Sequence, residues 1–299
     1  PTGKVKDIPF FNLKDKEKEE QKDEEANSRL KKISSLPDLA IFSDEAHHTY
    51  GQNLDTELKK VRKTVDYLAE NTSVKVVVNT TGTPYYQKQI LKDVVYWYGL
   101  SQGIADGYLK NIQDSIYTYD NVTDKDFLNI IVEDFFKDYK DVQLPDGSLS
   151  KLAIYFPQTD DLASAKPIVE KKIMELGLDP SIVIEVTNKS DEKTKDFFNN
   201  RIKDVHNPYR VYLLVNMGTE GWNVPSLFAT ALARKLKSSN NFVLQAGTRC
   251  LRQVVGNDEK ARIYLSKDNY KVLDNQLQET YRESLEILFG RLLLQSPGT

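Results

Sequence analysis

The chain has 299 residues, more than one hydrophobic core usually holds, and its 28 % charged and 39 % hydrophobic residues are those of an ordinary globular protein. A net charge of −3 and a pI near 5.8 argue against a basic tail or a surface that binds polyanions all over, while leaving room for a local basic groove. A single cysteine, Cys250, excludes an intramolecular disulfide and a thiolate zinc site. No apolar run approaches the ~20 residues of a membrane span, and the N-terminus "PTGKVKDIPF" has no signal-peptide core, so a cytoplasmic protein with no membrane partner is expected.

In chain order, "KDKEKEEQKDEEANSRLKK" (14–32) reads as a solvated helix or flexible insertion. "LAIF" (39–42) and "VKVVVN" (74–79) read as buried strands on either side of the helical stretch "LKKVRKTVDYLAE". An amphipathic helix follows within "YDNVTDKDFLNIIVEDFFKDYKDVQLPDGSLS", which ends in a turn at Pro145-Asp146-Gly147. "KLAIYF" (151–156), "SIVIEV" (181–186), "VYLLVN" (211–216) and "ARIYLS" (261–266) read as further strands, separated by helices such as "DLASAKPIVEKKIMELG". Strands alternating with helices predict an α/β protein with mostly parallel sheets covered on both faces. The boundary between two domains is placed near 145 to 150, giving 1–147 and 148–299.

The first strand runs directly into Asp44, Glu45, His47 and His48. A buried core has no use for that cluster, whereas ligands of an open parallel sheet sit beyond the carboxyl ends of its strands. There, one carboxylate can hold Mg²⁺ through water and the next can orient or deprotonate a water attacking a γ-phosphate. The plainer alternative is that Asp44 caps the next helix and the histidines are polar surface. Adjacent histidines diverge, and neither H-E-x-x-H nor C-x-x-C occurs, so zinc is not expected.

The second strand ends in Thr80-Thr81-Gly82-Thr83-Pro84, which suits a loop that approaches a ligand or hydrogen-bonds a neighbour, or a plain strand-to-helix turn with Pro84 at the first helical position. "VNMGTEGWNVP" (215–225) again follows a strand, and its two glycines permit close backbone approach. "SSNNFVLQAGTRCLRQ" (238–253) reads as a capped helix with Gln245, Arg249 and Arg252 at i, i+4 and i+7 on one face. Two arginines and a glutamine on one stripe suit a developing phosphate charge or, equally, a surface salt-bridge row.

Taken in order, D-E-A-H, T-G-T, G-T-E-G-W-N-V-P and Q-x-x-x-R-x-x-R resemble motifs II, III, V and VI of superfamily-2 helicase-like ATPases. The forms E-G-W-N-V-P and D-E-A-H-H are most similar to the Res (motor) subunit of type III restriction enzymes, with the likeness running over roughly 36 to 266. The resemblance implies two RecA-like domains, the first incomplete, with ATP bound between them and DNA held by backbone contacts in a local groove. It further implies a separate modification or specificity subunit as partner. By position, Asp44 is implied to coordinate Mg²⁺, Glu45 to be the catalytic base, and His47, Thr81 and Thr83 to couple the nucleotide to domain movement. Gly221 and Asn223 are implied to face ATP, and Arg249 and Arg252 to act as arginine fingers with Gln245 beside them.

Two departures are minor: Asn223 stands where the family usually has Asp, and Thr248 where it has Gly. A third is larger. No G-x-x-x-x-G-K-[S/T] occurs, and "PTGKV" keeps Gly3-Lys4 but has Val5 in place of the magnesium-binding hydroxyl. The expectation is a chain shortened at its N-terminus that hydrolyses ATP poorly by itself. "LDPSIVIEVTNK" has Asp179, Glu185 and Lys189 but not the order or spacing of a P-D…(D/E)-x-K nuclease site. Two other readings stay open: a superfamily-2 helicase of another pathway, on DNA or RNA, and a non-hydrolysing nucleic-acid-binding scaffold.

Overall fold

The structure, a computed structural model, describes residues 28–46, 60–82, 85–86, 89–90, 94–112, 116–119, 124–218, 222–233 and 242–288. The chain divides into two compact units, 1–91 and 92–299.

In the first unit a short helix α1 (28–34) precedes strand β1 (Leu39–Ser43), and helix α2 (Lys60–Asn71) leads into β2 (Val74–Asn79). β1 and β2 pair in parallel, with Leu39 opposite Val74 and Ser43 opposite Asn79. A parallel pair needs a crossover, and the stretch holding α2 supplies it. Leu68 is the buried contact of α2. The two strands form as expected but are not the buried strands that their apolar sequence suggests: Phe42, Val76, Val77 and Val78 stand exposed in the structure. Two dipeptide strands, β3 (Tyr85–Tyr86) and β4 (Gln89–Ile90), form a small antiparallel ladder.

The second unit begins with α3 (Leu100–Ala105), β5 (Ile116–Tyr119) and α4 (Asp124–Tyr139). β6 (Lys151–Tyr155), α5 (Thr159–Glu175), β7 (Val183–Val186), α6 (Glu192–Asp196) and β8 (Val211–Leu214) follow. The unit is completed by β9 (Leu227–Leu232), α7 (Phe242–Gly247), β10 (Arg262–Ser266), α8 (Lys267–Tyr281) and α9 (Leu285–Leu288). Its sheet has six strands in the order β5-β10-β9-β6-β8-β7, and every pairing is parallel.

Side chains of a strand alternate between faces, and β6 shows the consequence. Leu152 and Ile154 pack with α4 and α5, whereas Ala153 and Tyr155 pack with residues of α7 and α8. Burial on both faces is why "KLAIY" and "VYLL" are unbroken apolar runs rather than alternating ones.

The segment 92–147, placed in the first domain and its linker by the sequence reading, lies in the second unit. Its helix α4 buries Phe127, Leu128, Ile131, Val132, Phe135, Phe136 and Tyr139 in the core beneath β6, β8 and β9. Arg210 closes the far end of that helix, donating through Nη2 to the carbonyl of Tyr139 at 3.0 Å and through Nε to that of Ser150 at 2.6 Å. Among the described residues no helix is long and apolar enough to cross a membrane.

Candidate functional site

The parallel ladder of the first unit continues past the ends of its strands. The Thr80 amide donates to the Ser43 carbonyl at 2.9 Å, and the Ala46 amide donates to the Thr80 carbonyl at 2.9 Å. Those bonds bring the residues after β1 alongside the residues after β2. Asp44 Oδ1 accepts from the Thr80 hydroxyl at 2.9 Å and from the Glu45 amide at 2.9 Å, while Oδ2 has no partner among the described residues. The turn is sharp enough to hold Glu45 at φ 48°, a left-handed conformation that costs a residue with a Cβ about 1–2 kcal/mol. Asp44 and Glu45 are both exposed, and Ala46 behind them is buried.

One carboxylate oxygen fixed by two donors and a second one open make a hard, oriented oxygen ligand. That donor set fits Mg²⁺, which takes one or two carboxylates, waters and the phosphates of a substrate. Among the described residues no three histidine, cysteine or carboxylate side chains gather in a group that could hold a metal ion. Thr81 is half-buried beside Thr80. His47 and Thr83 lie outside the described residues, as do Gly3, Lys4 and Val5.

The remaining predicted residues stand on the second unit. After β8 the backbone turns through Asn216 (φ 53°) and Gly218 (φ 72°), both left-handed. At Gly218 a Cβ would come within 3.0 Å of Leu214 and 3.1 Å of the Trp222 ring, so a side chain there would be strained by its backbone and crowded by these neighbours. The Gly218 carbonyl accepts from the buried Tyr155 hydroxyl at 2.9 Å. Trp222 is buried, stacked on Phe198 at 5.1 Å and edge-on to Tyr212 at 6.2 Å. These anchors leave Asn223, the next residue, exposed; Gly221 lies outside the described residues.

The arginine-bearing segment differs from the expected single helix. α7 ends at Gly247, a tighter 3₁₀ turn covers Thr248–Leu251, and Arg252 is extended at φ −60°, ψ 117°. Two local causes are visible. Thr248 bonds back to the Leu244 carbonyl at 2.8 Å, and Cys250 and Leu251 are drawn into the core, where Thr230 reaches the Gly247 carbonyl at 2.7 Å. Gln245 and Arg249 therefore keep helical spacing, but Arg252 leaves their stripe and bridges to Leu109. Arg249 Nη1 donates to the Trp222 carbonyl at 3.1 Å, tying this segment to the loop that presents Asn223. Partial burial lowers the pKa of the Arg252 guanidinium.

Two contacting residues have no individual role in the sequence reading. Thr80 holds Asp44, and Lys110 donates to the carbonyls of Pro225 and Arg252 at 2.9 and 2.6 Å. Thr80 is legible only once the strand register is known, and a lone lysine whose acceptors are distant carbonyls leaves no pattern in the sequence. The nuclease-like residues have structural roles: Asp179 caps a 3₁₀ turn through the Ser181 amide, and Glu185 pairs with Lys166 at 3.2 Å.

No family model matches the sequence, and no curated protein matches it. Among solved structures, the chain is similar to a fragment assigned to the HsdR subunit of a type I restriction enzyme from Vibrio vulnificus. That likeness has 15 % identity and a TM-score of 0.52, and covers 75 % of this chain and 44 % of that one. Below a TM-score of 0.5 are the ATP-dependent type ISP restriction-modification enzyme LlaBIII bound to DNA (18 % identity, 83 % and 20 % covered, TM-score 0.46) and domain 2 of the DEAD-box helicase Mss116p bound to an RNA duplex (14 %, 54 % and 57 %, 0.38). The chain spans less than two thirds of each of these structures. At such identity the HsdR fragment bears on the fold, and the fold agrees: α/β, with a parallel sheet flanked by helices as in RecA-like helicase domains.

Proposed function

We propose that this chain is the motor part of a nucleic-acid-dependent ATPase of helicase superfamily 2. We assign it DNA as track and ATP with Mg²⁺ as fuel, as in the type III restriction motor that its motifs resemble. The observation that carries the reading is the bond between Thr80 and Asp44, which joins the D-E-A-H and T-T-G-T segments at the carboxyl ends of two parallel strands.

In this reading Asp44 is the oxygen ligand of the metal, directly or through a water. Mg²⁺, when bound, neutralises the β- and γ-phosphates. Glu45 is aimed by its left-handed backbone and orients the attacking water; His47, Thr81 and Thr83 respond to the loss of the phosphate. Gly221 and Asn223 are the further residues assigned to nucleotide binding. Arg249 and Arg252 offset the charge that develops on transfer, and Gln245 lies next to Arg249 on the same helical stripe. A separate specificity subunit is the expected partner for choosing a DNA site.

The test is nucleotide binding by residues 1–299, read as a function of Mg²⁺ with a fluorescent ATP analogue. ATP is expected to bind weakly and to need Mg²⁺, and Asp44→Asn is expected to erase the Mg²⁺ dependence. Binding that responds to Mg²⁺ equally with and without the Asp44 carboxylate would sink the proposal.

A further inference from the structure

Lys110 is fully buried, yet its ammonium meets no carboxylate among the described residues. It meets carbonyls instead. Nζ donates toward Pro225 at 2.9 Å, Leu227 at 3.2 Å, Cys250 at 3.3 Å and Arg252 at 2.6 Å, and lies 4.6 Å from the centre of the Phe228 ring. The backbone does the same at close range, with the Lys110 amide donating to the Leu251 carbonyl at 2.6 Å and Leu109 bridged to Arg252. Burying a lone charge is costly, and here carbonyl dipoles and an aromatic face are what offset it. Those four carbonyls belong to just two segments: the one running from Trp222 into β9, and the one formed by the 3₁₀ turn Thr248–Leu251 and the extended Arg252 that follows it.

We propose that Lys110 is a positioning residue: its ammonium pins the Trp222–Leu227 and Cys250–Arg252 segments together as one body and releases them when it loses its proton. In the ATPase reading, on which its importance for turnover rests, these segments hold Asn223 and Arg252, and Arg249 directly precedes the second of them. An ammonium has three N–H donors spread over four acceptors, whereas a neutral amine has two donors and no charge to strengthen them. Deprotonation therefore weakens every contact of the pin together.

Burial pushes the Lys110 ammonium down to about 8, so the change falls in an accessible range. The groups facing it do not titrate there. The Cys250 thiol, buried beside it, is pushed up to about 11 and stays protonated, and the Arg252 guanidinium keeps its charge. The remaining contacts, with Pro225, Leu227 and Phe228, are to carbonyls and a ring. Lys151, whose amide bonds the Ser226 carbonyl, is also lowered to about 8 by burial and needs its own control.

The chain has two tryptophans, Trp97 and Trp222, so W97F leaves Trp222, whose backbone carbonyl accepts from Arg249, as the reporter on the pinned body. Emission of the W97F protein is to be followed from pH 6.5 to 9.5. A one-proton step with a midpoint near 8 is expected. The step should vanish in W97F/K110M and W97F/K110R, the latter keeping the low-pH spectrum because arginine holds its proton, and should persist in W97F/K151M. Loss of the step in K151M but not in K110R would overturn the assignment, as would a flat emission profile in W97F itself. Far-UV circular dichroism identifies any variant that fails to fold, and either Lys110 variant suffices. No nucleotide is present in the titration, so its outcome is separate from that of the Mg²⁺-dependent ATP binding that tests the ATPase reading.

Discussion

Thr80 donates its hydroxyl to Asp44 Oδ1 at 2.9 Å across a parallel strand pair. The bond restricts the rotation of a carboxylate whose other oxygen, Oδ2, has no partner among the described residues. Removing the hydroxyl should cost that orientation and little else, because the Thr80 amide and carbonyl keep their ladder bonds. Thr80→Val is expected to raise the Mg²⁺ concentration needed for ATP binding about fivefold, the equivalent of about 1 kcal/mol. Thr80→Ser should restore it. Equal Mg²⁺ requirements in all three proteins would mean that the bond does not prepare a metal ligand.

Phe135 tests whether α4 belongs to the second unit's core. It is fully buried, edge-on to Phe136 at 5.1 Å and stacked with Tyr139 at 5.4 Å. Phe135→Ala should therefore cost about 3–5 kcal/mol. In a unit of this size that corresponds to a fall of about 10 °C in Tm, read by circular dichroism. A loss below about 1 kcal/mol would instead fit a linker helix resting on the surface.

Much of the fold can be read in advance because buried parallel strands are unbroken apolar runs, as "KLAIY" and "VYLL" are. β9 escapes that reading, although it lies between β10 and β6. "LFATAL" is rich in residues that favour helices, and its position between two covered faces overrides the local preference. β5 is four residues long and gains its partner, β10, from far along the chain. At the candidate site, Asp44 and Glu45 stand out because carboxylates at the end of an apolar strand need a reason. The break of the arginine stripe at Thr248 does not, since it follows from the Thr248–Leu244 bond and from which side chains the core admits.

Stability at alkaline pH should carry a signature of the buried lysines. Lys110 and Lys151 are both lowered by burial to about 8 from an ordinary 10.5. Above about pH 8 the folded protein sheds these protons while the unfolded chain keeps them to about 10.5, so their contribution raises stability with pH across that window. Cys250 works in the opposite sense from about pH 9, because burial holds its proton to about 11 in the fold. Tyr139, Tyr155 and Tyr212 do the same from about pH 10, since burial raises each of them. Replacing Lys151 by Met should therefore flatten the rise between pH 7.5 and 9.5 in denaturant titrations. An unchanged slope would show that Lys151 is not the buried cation its surroundings describe.

Glu45 carries the last expectation. Its backbone is held at φ 48° and its amide is tied to the Asp44 carboxylate, so its side chain starts from a fixed point rather than from a mobile loop. If it orients the attacking water, Glu45→Gln keeps the size and the backbone bond and removes only the charge and the basicity. ATP affinity should then stay within about twofold while turnover falls by 10²-fold or more. Turnover by residues 1–299 is itself expected to be slow. No G-x-x-x-x-G-K-[S/T] loop occurs in them, and an arginine worth ~10³–10⁵ in rate acts only on a phosphate already held in line. The comparison therefore calls for single-turnover conditions with DNA present, where a slow wild-type rate is still measurable. A Glu45→Gln protein that hydrolyses ATP at the wild-type rate would remove Glu45 from the reaction and leave Asp44 as a metal ligand without an adjacent base.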